Sequence, residues 1–289
     1  MSNSRRVSIG LAVYNGEAFL ALTLDSLVAQ TFEDFELIVC DNASTDRSGE
    51  IAQDYALRDR RIRYVRNPVN IGAGGNYRRA FAESRAPYFR WSAADDLYAP
   101  ESLARCVEVL DRDSAVVLTY PRTKFIDERG AVLREYDDRL HLISARPSER
   151  FMLLMERLGY CNALYGLMRA GAMRRTRLTG DYVGSDIVFQ AELALYGTFW
   201  EIPEHLFFRR LHAAASSSMN DAQIRAFYAP VATPRKSARH WRHMWEHTRS
   251  ISRAPLPFTE RARLAAYLMG MAIGQRSELF AEARGAFHP

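Results

Sequence analysis

Acidic, amide and basic side chains gather at a few places along this chain of 289 residues. Val13-Tyr14-Asn15-Gly16-Glu17 comes first, then Asp41-Asn42-Ala43-Ser44-Thr45-Asp46, then Asn70-Ile71-Gly72 with Asn76. The adjacent carboxylates Asp95 and Asp96 follow, and much later come Asp186 and the run Arg209-Arg210-Leu211-His212. Neighbouring carboxylates are hard oxygen donors suited to divalent cations. Some of these groups also have a structural use. Ser44, Asp46 and Asp186 are good helix N-caps, and one of the Asp95-Asp96 pair could cap a helix near Pro100. Glu17 suits a first helical turn without any ligand. Asp41 follows an apolar run directly, which makes it a functional candidate.

These residues need elements to hold them. Val7 to Val13 is an apolar, β-branched run, and Glu17 to Gln30 sets Leu20, Leu24, Leu27 and Val28 on one helical stripe. Phe35 to Cys40 predicts a second buried strand, followed by a helix to about Arg58 and a third strand over Ile62 to Val65. The stretch N-P-V-N-I-G-A-G-G predicts a loop, Asn76 to Ser84 a helix, and Tyr88 to Trp91 a fourth strand. Pro100 to Leu110 reads as a helix with proline near its first turn, and Ala115 to Tyr120 as a fifth strand. This spacing implies an α/β fold, a mostly parallel sheet covered by helices. Ligands of such sheets bind at the carboxyl ends of the strands, where the residues above fall.

Beyond residue 120 the rhythm changes. A hairpin is expected around Glu128-Arg129-Gly130, a polar loop over Tyr136 to Pro147, and helices from Ser148 and over Asp186 to Tyr196. Phe199 to Phe208 reads as strand-like segments broken by Pro203, and the tail from Pro230 as helical, interrupted at Pro255 to Pro257. His240, His243 and His247 recur at helical spacing, but no acidic partner pattern supports a metal face there.

The order V-S-I-G-L-A-V-Y-N, V-C-D-N-A-S-T-D, N-I-G-A-G-G-N and W-S-A-A-D-D-L-Y-A-P resembles the inverting family 2 glycosyltransferases with the GT-A fold. The likeness is collinear over about the first 120 residues, with a weaker echo to about residue 220. It implies a GT-A-like nucleotide-binding sheet over residues 1–225 and a helical basic extension over 226–289. Within the sheet domain, 1–120 would bind the nucleotide-sugar and 121–225 would form the acceptor side. Val13, Tyr14, Glu17, Asn70, Gly72 and Asn76 would line the donor site, and Asp41 could accept from the base N–H. The resemblance implies that Asp95 holds the ribose hydroxyls and that Asp96, with His212, coordinates Mg²⁺ or Mn²⁺. Arg210 would offset charge on the leaving diphosphate, and Asp186 would be the base that deprotonates the acceptor hydroxyl. Ala93 occupies the first acidic position of the fuller Asp-x-Asp-Asp form, and Ser185 replaces the usual Glu before Asp186. The glycines of I-G-A-G-G-N lack full G-x-G-x-x-G spacing, so a tight turn bringing backbone near a nucleotide is expected there.

An inverting transferase is therefore expected, moving a sugar to a hydroxyl of a saccharide or lipid-linked saccharide. A nucleotide-sugar-binding protein without transferase activity is the alternative. A nucleotidyltransferase would show a Gly-rich basic loop near the N-terminus, and none stands between Val7 and Glu17. Apolar residues at 48% and charged residues at 25% exclude a disordered or fibrous chain. Three cysteines, Cys40, Cys106 and Cys161, fit buried thiols better than disulfides. No secretory signal is read and no apolar stretch has bilayer length, so a cytoplasmic location is expected. Val231 to Arg263 carries eight Lys/Arg against two Asp/Glu together with Trp241, Trp245 and Phe258. That composition suits either a solvated helix face or peripheral contact with anionic lipid. Nothing in it matches a nucleic-acid-binding motif.

Overall fold

The computed structural model describes residues 5–228 and 238–286. Its first half alternates β1 (Val7–Val13), α1 (Leu20–Val28), β2 (Phe35–Asp41), α2 (Ser48–Arg58), β3 (Ile62–Arg66), α3 (Gly72–Ala82) and β4 (Tyr88–Ser92). A two-residue β5 (Leu97–Tyr98) and α4 (Ser102–Arg112) lead to the long β6 (Val116–Ile126), which turns into β7 (Val132–Tyr136). Then come α5 (Pro147–Arg157), β8 (Leu167–Arg169), the one-turn α6 (Ala170–Met173), α7 (Ser185–Ala194) and β9 (Thr198–Arg210). The chain ends in α8 (Asp221–Tyr228), α9 (Arg239–Arg253), α10 (Phe258–Gly274) and α11 (Arg276–Ala286).

All nine strands join one sheet, ordered β3-β2-β1-β4-β8-β6-β9-β5, with β7 paired to β6. The pairs β2–β3, β1–β2 and β1–β4 are parallel. The three-residue β8 is wedged antiparallel between β4 and β6, which leaves β6 and its parallel neighbour β9 running with the first four strands. Six strands thus share one direction, as the β-α-β rhythm predicts, and only the shorter β5, β7 and β8 oppose them. β8 follows a turn rather than a periodic apolar run, so no sequence pattern announces it.

Alternation assigns the two faces. Val7, Ile9, Leu11 and Val13 of β1 pack with Leu24, Leu27, Leu37 and Leu103, whereas Phe89 and Trp91 of β4 pack with Phe151 and Phe189 on the other side. Burying each such side chain contributes about 1.5–3 kcal/mol. β9 continues through Pro203, because the ladder to β6 jumps from Pro121–Ile202 to Arg122–His205. The bulge accommodates the missing proline N–H, so the expected break is a bend.

The glycine-rich run is also different from expectation. α3 starts at Gly72, so Gly74 and Gly75 lie in its first turns. A Cβ on Gly74 would stand 2.3 Å from the Gly180 carbonyl oxygen, so the glycine is there to admit the 179–181 loop. All three cysteines are free and buried.

The C-terminal helices lean on the second face. α9 packs on α7 and α10 on α5, through Ile251, Leu264 and Leu268. Residues 229–237, which include Arg235 and Lys236 of the basic run, lie outside the described residues. Among the described residues no helix is long and apolar enough to cross a membrane.

Candidate active site

At the carboxyl ends of β1 and β4 lies a cavity of about 330 Å³. Tyr14, Asp95, Asp96, Asp186, Arg210 and His212, six of the residues singled out in the sequence, stand in its wall. They arrive by four routes: Tyr14 directly after β1, the Asp pair after β4, Asp186 in the first turn of α7, and Arg210 and His212 from the end of β9.

The acidic centre is tightly built. Asp96 is 3% exposed, and its Oδ1 accepts the main-chain N–H of Arg210 at 2.9 Å. Burial, reinforced by repulsion from Asp95, pushes its carboxyl well above the usual carboxylate range, while Arg209 and Arg210 pull the other way. Asp95 Oδ2 lies 2.9 Å from His212 Nε2, and the imidazole packs against Phe19 with ring centroids 4.8 Å apart.

Arg210 is buried beneath this pair. Its guanidinium donates to the carbonyls of Asp95 at 2.9 Å, Asp127 at 2.8 Å and Glu128 at 3.0 Å, and lies over the Phe19 ring. Those bonds clamp the end of β4 to the β6–β7 turn. Arg209, which the sequence reading left without a role, also stands in the cavity wall. Its Nη1 donates to Asn162 Oδ1 at 2.8 Å and to the Tyr160 carbonyl. Asn162 in turn donates to Asp138 at 3.1 Å, and burial pushes the Asp138 carboxyl up to about 7. Burial works against the Arg209 charge, but Tyr165, Asp96, Cys161 and Asp95 outweigh it and keep the group protonated. Both arginines stand in the cavity wall, and no signal in the sequence separates the clamp Arg210 from its neighbour Arg209.

Asp186 follows Gly184, which sits at φ +82° as the residue before α7. The Cys161 thiol lies near the Asp186 carboxylate, and burial followed by that neighbouring charge pushes the thiol well up, so it stays protonated. From α9, His243 reaches back to the same corner, with Nε2 2.7 Å from the Val183 carbonyl oxygen. His240 binds Glu282 at 2.8 Å, and His247 packs edge-on against Phe151 with its ring centroid 6.5 Å from that of His243, so the three histidines do not converge on one point.

The other six expected residues stand outside the cavity wall, and their polar groups are bonded within the protein. Asp41 is fully buried and accepts from the Ser44 N–H at 2.8 Å, from Tyr64 at 2.6 Å and from Arg66. Glu17 accepts the Arg47 N–H at 2.9 Å, and Asp46 takes the Ser48 N–H at 3.0 Å from one residue before the N-cap position, which Arg47 and not the expected Asp46 occupies. The Val13 carbonyl accepts from Asn42 N–H at 2.8 Å. Asn70 Oδ1 accepts from Asn42 at 2.8 Å and from the Gly72 N–H at 2.9 Å. Asn76 donates to the Cys40 carbonyl at 2.8 Å and accepts from Asn67 at 3.0 Å. These groups brace the strand ends from which Tyr14 and the α3 turn emerge.

Among the described residues, no group of three or more His, Cys, Asp or Glu side chains forms a ready metal cage. Mg²⁺ and Mn²⁺ are commonly held by one or two carboxylates and completed by phosphate oxygens. Asp96, with one oxygen spoken for by Arg210 and the other unbonded, fits such a partial donor set, with Asp95 and His212 beside it.

The Glycosyl transferase family 2 model matches residues 8–176. An uncharacterized glycosyltransferase of Methanocaldococcus jannaschii is 32% identical over 132 residues, 45% of this chain and 46% of the relative. The chain therefore spans less than half of that relative's length. One of Haemophilus influenzae is 25% identical over 225 residues, 76% of this chain and 69% of the relative. In fold, the chain is similar to S. aureus TarS 1-349, solved in complex with UDP-GlcNAc, with a TM-score of 0.67 at 15% identity over 93% of this chain and 73% of that one. A Pyrobaculum calidifontis mannosyltransferase, solved with GDP-Man and Mn²⁺, has a TM-score of 0.55 at 15% identity, covering 98% of this chain and 85% of that one. With the strand-end cavity, its acidic pair and a family match over more than half its length, the chain belongs to glycosyl transferase family 2.

Proposed function

We propose that this chain transfers a sugar, with inversion, from a nucleoside-diphosphate donor to a hydroxyl of a saccharide or lipid-linked saccharide on the cytoplasmic side. The observation that carries the reading is the convergence of Asp95, Asp96, Asp186 and Arg209 on one cavity. Residues 1–120 hold the donor, with Tyr14 at the rim and Asp95 on the ribose; residues 121–225 form the acceptor side. Val13, Glu17, Asp41, Asn70, Gly72 and Asn76 act by bracing the strand ends. Arg210 keeps the Asp pair in register, and Arg209 is the side chain that meets diphosphate charge. Asp96 and His212 would hold Mg²⁺ or Mn²⁺, which supplies charge neutralisation to the leaving diphosphate when bound.

Asp186 takes the proton from the acceptor hydroxyl as its oxygen bonds to the anomeric carbon. The bond from that carbon to the diphosphate oxygen breaks on the opposite side, and its electron pair leaves with the nucleoside diphosphate. Arg209 stabilises the charge developing there. The buried Cys161 thiol stays protonated beside Asp186 and so does not compete for the proton.

The test is a screen of UDP- and GDP-sugars for release of nucleoside diphosphate, with and without Mn²⁺, using wild type and Asp186→Asn. Turnover that falls at least ~10²-fold in the variant, with donor affinity kept, supports the reading. Donor binding without turnover in wild type would leave the binding-protein alternative.

A further inference from the structure

α9 and α10 turn their two acids inward and leave most of their arginines exposed, while Arg261 donates to the Leu256 and Ala254 carbonyls and Arg253 pairs with the buried Glu192. Glu246 and Glu260 are each only 7% exposed, and each is paired, Glu246 to Arg177 and Glu260 to Arg263. Arg239, Arg242, Arg249, Arg253 and Arg263 are all exposed. The outer side of α9 therefore presents arginine interleaved with Trp241 and Trp245 and no exposed carboxylate.

The outer side of α10 is apolar. Phe258 is 84% exposed, Met269 65% and Ile273 59%, with alanines and glycines between them. Among the described residues these side chains stay exposed, while the inner residues Leu264 and Leu268 make the contact with the body. A water-facing helix has no use for such a stripe, and although Arg253 pairs with Glu192 and Arg263 with Glu260, Arg239, Arg242 and Arg249 have no ion-pair partner among the described residues. Aromatic side chains beside arginine, with apolar groups next to them, match the headgroup layer of an anionic membrane.

We infer that the outer face of α9 and α10 docks on an anionic lipid bilayer. The inference deepens the transferase reading, because the inner side of the same α9 touches Val183, beside Asp186. Docking would bring the acceptor side of the cavity to the surface where lipid-linked saccharides reside. The shared ligand chemistry is the anionic headgroup; among the described residues no helix is long and apolar enough to cross the bilayer.

Sedimentation of the full chain with phosphatidylcholine vesicles, with and without phosphatidylglycerol, tests this. Binding is expected only with phosphatidylglycerol, and it should fade as salt rises. Each arginine near such a surface is worth about fivefold in partition, so Arg239→Gln with Arg249→Gln should weaken binding roughly 20-fold. Trp245→Ser with Phe258→Ser should weaken it as well, while transfer to a water-soluble acceptor stays unchanged in both variants. Failure of wild type to sediment with phosphatidylglycerol vesicles at low salt overturns the inference. So does a concentration-dependent dimer abolished by the Trp245 and Phe258 substitutions, or retention on a polynucleotide in place of vesicles. Vesicle binding is read without any sugar, so it stands or falls separately from the transferase reading.

Discussion

His243 Nε2 donates to the Val183 carbonyl at 2.7 Å, and a Cβ on Gly184 would come within 2.5 Å of the same imidazole. A residue of the C-terminal extension therefore holds the left-handed corner that launches α7 and its Asp186. His243→Leu should lower kcat by about 10- to 100-fold with the donor KM unchanged, since small displacements of a reacting group cost that much. His243→Gln, which can supply an N–H from a similar place, should recover most of the loss. A purely structural contact would instead lower Tm and leave the kcat of the folded fraction intact.

Asp96→Asn should abolish metal-dependent turnover and leave the fold standing. The amide oxygen can still accept the Arg210 N–H, so Tm should stay within a few degrees of wild type. A Mn²⁺ titration of turnover checks it; a wild-type curve in the variant would remove the metal role.

Arg209→Gln should reduce kcat by about 10²–10³, the usual scale for a donor aimed at developing negative charge. Arg210→Gln should act differently. It frees the carbonyls of Asp95, Asp127 and Glu128, so it should cost about 2–4 kcal/mol of stability before any kinetic effect is read. Chemical denaturation beside steady-state kinetics separates the two arginines.

Stability should fall in acid through His247. Burial, helped by His243, holds its imidazole down to about 4 against an ordinary 6.5. The folded state therefore keeps neutral a group that the unfolded chain protonates. Its contribution is complete above pH 6.5 and is lost as pH falls from there to about 4, on the order of 3 kcal/mol. His247→Gln should flatten the unfolding free energy across that window relative to wild type, measured by urea titration at each pH.

What the chain settles locally is the sheet and the acidic pair. Apolar runs such as Val7–Val13 and Phe35–Asp41 form buried strands wherever they are covered, and the residues just after them land at the ligand edge by topology alone. That logic places Tyr14, Asp95 and Asp96. What tertiary packing decides is which polar group is left over for a ligand. Asp41, Asn70 and Asn76 look as available in sequence as Asp95, yet their hydrogen-bonding capacity goes to Ser44, Tyr64, Arg66, Gly72, Cys40 and Asn67. Arg209 and Arg210 are adjacent and chemically identical, and only the partners around them make one a clamp and the other a cavity cation. Helical spacing groups His240, His243 and His247, but each meets a different neighbour, and only His243 reaches the Asp186 corner. Periodicity is a property of one segment, whereas a site is a matter of which segments meet.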